Sequence, residues 1–305
     1  MNIRTFCMLG WVLSFLLSCQ RSSPDPIIPD YTDATRYYQE GEVEVIQQYD
    51  DNQIFVVFVA DGYTRATLRK DGGIYRSTAI QHIEYLFGQA PFSQFRDHFN
   101  VSIIYAASTD SSTAFNYGDQ PSSQMDGEKL ARYVEAATGI EGFSEQVQVL
   151  FAVRRPVNGF GGNKTAYFPA DQPDIMLHEV GHSFGNLGDE YQYGQGAPLE
   201  LLADPGTRGV NSNLDITDDP EQVKWKRYFG LSGYEDVGIF EGGFYSDTGV
   251  WRPTQTSVMR ETRDDGLSHG FNAVGREAIV REIYRLEGKS LSFEAFLEID
   301  QVNVE

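Results

Sequence analysis

The chain has 305 residues, 41% hydrophobic and 13% aromatic, enough apolar mass for one large globular domain and too much for a disordered segment. Acidic residues outnumber basic ones by 44 to 24, a formal net charge of −20. That balance argues against nucleic acid or an anionic membrane surface as a partner.

The amino-terminal stretch MNIRTFCMLGWVLSFLLSCQRSS carries one cation, Arg4, then an apolar run and the sequence LLSC. This is the pattern of a secretory signal cut just before a cysteine that takes a lipid. Residues 1–18 therefore read as the signal peptide, with Leu16, Leu17, Ser18 and Cys19 as the processing site. The apolar stretch is too short to span a bilayer. The expected location is the cell envelope, at the outer membrane or cell surface, held to the membrane by the lipid on Cys19. Cys7 leaves with the signal, so the mature domain keeps no thiol and needs no disulfide. Residues 19–36, rich in Pro, Asp and Ser, read as a flexible tether. Residues 37–305 show no internal repeat and no second compositional regime, and read as one domain; nothing in them fixes the oligomeric state.

Along that domain, the β-branched and aromatic run at 54–60 predicts a buried central strand. Ile80, Ile83, Leu86 and Phe87 recur at a helical period that ends near Gly88 and Pro91. Strands are predicted at 99–108 and 147–153, with a helix between them around GEKLARYVEAA. The segment 195–250 is turn-rich and reads as long surface loops. The last clear element is an amphipathic helix in FNAVGREAIVREIYRLEG, with Ala278, Ile279, Ile283 and Leu286 facing inward. Strands alternating with helices predict an α/β or α+β layer fold.

The chemistry concentrates in IMLHEVGHSFGNLGDEYQYG, residues 175–194. His178 and His182 stand four residues apart, which places both rings on one face of a helix, one turn apart. Two imidazoles so placed can reach one Zn²⁺, and Glu179 is placed to take a proton from the attacking water. Two of only five histidines in the chain fall here at ligand spacing. Asp174 is the expected N-cap of this helix. A peptidase site needs a third ligand, yet on an unbroken helix Asp189 would lie about 10 Å beyond His182. Gly185 and Gly188 are expected to adopt positive φ, stop the helix and fold the chain back. Asp189, Glu190 or a more distant residue then closes the site.

Other residues are candidates for supporting roles. Tyr191 and Tyr245 could hydrogen-bond a developing oxyanion, as could His269, which is otherwise a capping or solvent-facing histidine. Met259 is a candidate apolar floor beneath the metal or simple core filling. Gly161 and Gly162 would let an extended peptide approach the strand before the helix, unless that stretch is a plain hairpin loop.

HEVGHSFGNLGDEY resembles the signature of the bacterial IgA metallopeptidase family of zinc endopeptidases. FVADGYT (58–64), APFSQFRDHFNV (90–101), KWKRY (224–228), EGGFYSDTGVWRPT (241–254) and SVMR (257–260) are similar in the same order, so the resemblance covers about residues 50–285. It implies a zincin- or metzincin-like catalytic domain with a mixed sheet. It also implies Zn²⁺ as cofactor, His178, His182 and Asp189 as ligands, Glu179 as catalytic base, and a protein or peptide substrate. The chain departs from the commoner metzincin spacing, because position 188 is glycine and the acid comes at 189. Val258 stands where the family has a cysteine, and cleavage of IgA itself is not implied. Two rival readings are a surface lipoprotein that binds peptides or glycans with a vestigial metal site, and a glycosidase using the Asp189–Glu190 pair.

Overall fold

The computed structural model describes residues 30–51, 53–109, 113–115, 125–194, 202, 211–261 and 269–300. The stretch expected to be a signal peptide, Cys19 and the expected tether up to residue 29 lie outside the described residues. Tyr31–Glu305 form one compact unit, separate from Met1–Asp30. At its start, residues 31–36 make turns, and the Arg36 carbonyl accepts from the Lys70 amide at 3.0 Å.

A six-stranded mixed sheet organises this unit, in the order β1-β3-β2-β4-β6-β5. Its strands are β1 (Glu42–Gln47), β2 (Ile54–Asp61), β3 (Phe99–Tyr105), β4 (Val147–Val153), β5 (Phe160–Gly162) and β6 (Thr165–Pro169). The four central strands are parallel, and β1 and β5 close the edges antiparallel. Parallel strands need crossovers. Helix α1 (Ile74–Leu86) links β2 to β3, and α2 (Gly127–Thr138) lies between β3 and β4.

The continuous apolar run of β2 follows from burial on both faces. Val56, Phe58 and Ala60 point into the larger core, while Val57 and Val59 point into the smaller one beneath α2. The larger core also receives α1, α3 (Pro173–Ser183), α4 (Ala273–Leu286) and α5 (Phe293–Asp300). On α4, Ile279, Ile283 and Leu286 are buried as expected and Ala278 is half-buried. The architecture is thus mixed α/β, with five α-helices among the described residues.

Two stretches depart from the sequence expectation. Within 195–250, described from 211 onward, β7 (Phe240–Gly243) and β8 (Ser246–Arg252) form an antiparallel hairpin, and Trp225, Tyr228 and Tyr234 enter the core. Beyond α4, helix α5 was not expected, yet it buries Phe296 and Asp300. Asp300 is held by the Arg276 guanidinium at 2.6 Å.

Candidate metal centre

Helix α3 begins with Pro173, whose fixed φ suits a first turn. Asp174 is not its cap. The N-cap position is Gln172, with no side-chain hydrogen bond, and Asp174 lies inside the first turn, accepting from the Tyr85 hydroxyl. Met176, Leu177 and Val180 root the helix in the core. Ser183 ties it to the sheet, accepting from the buried Gln148 amide of β4 at 2.8 Å.

The helix stops by a different device from the one expected. Neither Gly185 nor Gly188 has positive φ; Asn186 does, at 51°. Asparagine tolerates that region because its side chain is short and polar. The two glycines are needed for room instead. A side chain on Gly185 would press on the Gly181 carbonyl and Ile279, and one on Gly188 would strike Leu214 and Asn211.

The turned-back chain carries Asp189 to the histidines. Asp189 Oδ1 lies 3.0 Å from both His178 Nε2 and His182 Nε2, and the two nitrogens are 3.0 Å apart. Each Nδ1 donates to a backbone carbonyl, His178 to Val258 at 2.8 Å and His182 to Leu187 at 2.7 Å. Those bonds place the ring protons on Nδ1, so neutral rings present lone pairs at Nε2. Two lone pairs and a carboxylate oxygen then converge with no donor among them. A single divalent cation satisfies all three, whereas a proton bridges only a pair. The separations are close to the roughly 3.3 Å between ligands of a tetrahedral zinc ion. These three residues could therefore hold a metal ion.

Without a cation, a proton on an imidazole Nε2 takes its place: burial opposes ionisation of Asp189, but hydrogen bonds from the then protonated His178 and His182 outweigh it and hold its carboxyl well below the usual range. Burial likewise pulls His182 down, and the bond and charge of Asp189 reverse this, leaving it at about 8. Glu179, also buried, is pushed above the ordinary carboxylate value by burial, with the two imidazoles opposing and Asp189 adding to the effect. Strand β5 runs across it. A side chain on Gly159 would collide with the Glu179 carboxylate, and one on Gly161 with the Glu179 backbone carbonyl. Glycine is required at both positions for that close approach.

Glu190 has a different fate from its neighbour. Fully buried, it accepts from Asn213 Nδ2 and Asn272 Nδ2, each at 2.9 Å, and from Ser257 Oγ at 2.6 Å. Its amide donates to the Met259 carbonyl at 2.8 Å. Its role is to anchor the chain that presents Asp189. Met259 lies under the helix, where a side chain on Gly181 would run into its sulfur.

Both tyrosines reach the centre. The Tyr191 ring stacks on His178 at 5.9 Å, and Tyr245 donates its hydroxyl to Asp189 Oδ2. Burial and the Asp189 carboxylate push Tyr245 up to about 12 and raise Tyr191 further. Tyr245 sits at the tip of the β7–β8 hairpin, where Phe244 and Tyr245 have φ of 48° and 65°. Bulky residues are costly there. The tip is held by Phe244 N–H donating to the Asp189 carbonyl at 2.7 Å and Tyr245 N–H to that of Tyr191 at 3.1 Å. His269 is not drawn in: its ion-pair partner is Glu261, at 3.7 Å. Sequence reasoning missed the Val258 and Leu187 carbonyls, which carry no side-chain signal, and Asn213, which lies far along the chain. Asn272 was detectable as a helix cap, since it accepts from the Gly275 amide at 2.9 Å.

No protein-family model matches the chain, and none of the curated proteins matches it.

Proposed function

We propose that this chain is an exported, lipid-anchored, zinc-dependent peptidase with a zincin-like domain, acting on protein or peptide substrates. The observation that carries this reading is the convergence of His178 Nε2, His182 Nε2 and Asp189 Oδ1 at 3.0 Å, with the buried Glu179 carboxylate one residue from the first ligand.

Zinc held by these three residues supplies polarisation of a peptide carbonyl and of the attacking water. Glu179 takes a proton from that water as its oxygen adds to the carbonyl carbon, then delivers the proton to the departing amine as the C–N bond breaks. Its raised proton affinity, a consequence of burial, suits both halves of the transfer. The Tyr191 hydroxyl, and that of Tyr245 once it turns away from Asp189 Oδ2, would donate toward negative charge growing on the carbonyl oxygen. The outer edge of β5, paired only to β6 among the described residues, offers main-chain groups to an extended peptide.

Two histidines and a carboxylate also suit non-haem iron(II). The buried carboxylate base beside the ligands, with no role in oxygen activation, favours hydrolysis. Metal content of the purified chain and cleavage profiling on a peptide library test the reading together. The expected outcome is one zinc per chain, with cleavage lost by at least about 10²- to 10⁴-fold in Glu179→Gln. Iron in place of zinc, or equal cleavage by the variant, overturns it. A peptide-binding protein without turnover would instead keep its biological activity in Glu179→Gln.

A further inference from the structure

A cavity of about 830 Å³ opens outside the carboxyl ends of β2, β4 and β6, the end of a parallel sheet where ligands commonly bind. Its wall includes Tyr63 after β2, Arg154, Arg155 and Asn158 after β4, and Asp171 after β6. The β4–β5 connection joins this cavity to the candidate metal centre. Asn158 lines the cavity, and the next residue, Gly159, lies against the Glu179 carboxylate.

Acids far outnumber bases in this chain, and Arg65, Arg76, Arg96, Arg276 and Arg285 all meet carboxylates. Arg36, Arg69, Arg132 and Arg154 form no ion pair among the described residues, and of these four Arg154 is the one that lines the cavity. Arg154 is exposed and lies over the Tyr63 ring, 5.9 Å from its centroid, and among the described residues it forms no ion pair. Tyr63 is fully buried, so it gives the guanidinium a rigid floor that leaves the charge available. The surrounding negative field repels acidic ligands in general, so a local cation at the cleft's end makes acceptance of one a matter of position.

We propose that this cavity is a substrate subsite that takes an acidic side chain, aspartate or glutamate, through the Arg154 guanidinium; the inference rests on the peptidase reading above. An extended peptide beside β5 advances about 3.3 Å per residue, so the acidic residue that reaches Arg154 stands at one fixed position from the bond cleaved. Asp171, which also lines the cavity, narrows the choice by repelling a carboxylate that is out of register.

Fluorescence anisotropy with the full chain carrying Glu179→Gln, loaded with zinc, tests this without turnover. The probes are labelled ten-residue peptides with amidated ends, differing only in one Glu moved through successive positions, each paired with its Gln counterpart. One position is expected to bind about tenfold tighter with Glu than with Gln. Adding Arg154→Glu abolishes or reverses that ratio, and Arg154→Lys retains part of it. Arg154 is exposed, so thermal melting should match between these variants and confirm intact folding. Equal binding of Glu and Gln at every position, binding of no peptide, or a preference that survives Arg154→Glu overturns the subsite. A preference seen only with a free carboxyl terminus does so too. Zinc-dependent cleavage by the wild-type chain with no acidic preference removes the subsite and leaves the peptidase reading standing. Tight, Arg154-dependent binding without wild-type cleavage does the reverse.

Discussion

Asp189 and Glu190 are adjacent carboxylates with opposite roles, and the difference lies in their partners. Asp189 faces two imidazoles; Glu190 faces three neutral donors from residues 213, 257 and 272. Replacing Glu190 by alanine strands those donors in a buried site, at about 1–3 kcal/mol each where no water enters. Glu190→Ala is therefore expected to lose at least about 3 kcal/mol in denaturant unfolding, whereas Asp189→Asn lowers metal affinity and also removes the charge whose bonds with His178 and His182 stabilise the metal-free chain. An Asp189→Asn chain that binds metal as tightly as wild type would remove Asp189 from the ligand set. His178, Glu179 and His182 were legible as a group because their relation is local, fixed by helical spacing. The choice between the two acids was not legible, because it depends on Asn213, Ser257 and Asn272, each remote in the chain.

At the scale of elements, α3 is confined from both sides, by Met259 and Phe271 beneath it and by β5 above. Glycine within a helix normally costs up to about 1 kcal/mol relative to alanine, so Gly181→Ala would stabilise an exposed helix. Here the added methyl meets the Met259 sulfur and the Phe271 ring, and overpacking of that kind costs about 1–3 kcal/mol. The variant is expected to be destabilised, and to bind metal more weakly because Val258, the partner of His178, adjoins Met259. Gly181→Ala with raised stability and unchanged metal affinity would mean that Met259 does not brace the helix. Strands β2 and β4 and helices α1, α2 and α4 follow from sequence period, since burial on one face or both leaves a regular apolar pattern. The β7–β8 hairpin did not stand out. Its tip is Phe244–Tyr245 rather than the Asn-Gly that marks such turns, and contacts with residues 189–193 hold it in that conformation.

At the scale of the whole molecule, the candidate metal centre joins α3, the chain after it, the hairpin tip and the 257–259 segment, so a cation there binds the folded chain and not the unfolded one. Chelation should lower the unfolding free energy by about 2.7 kcal/mol if the metal had stood at 100 times its Kd, and about 4.1 at 1,000 times. A melting temperature unmoved by chelator would contradict that linkage. Acid acts on the same folding equilibrium through a residue outside the centre. His82 is buried on α1 beside Phe168, with Nδ1 bonded to the Thr78 carbonyl at 2.8 Å. Burial pushes its imidazole below the ordinary value, outweighing that bond and the charge of Asp171. Below about pH 6.5 the unfolded chain takes a proton that the folded chain refuses. The contribution to stability is therefore full above that pH and falls as the pH drops toward the depressed value. With chelator present throughout, unfolding free energies at pH 8, 7, 6 and 5.5 should decline more steeply for wild type than for His82→Phe. The difference in slope should approach about 1.4 kcal/mol per pH unit, that of one proton. Parallel curves would mean that His82 is charged in the folded chain, and that the core around Phe168 admits water.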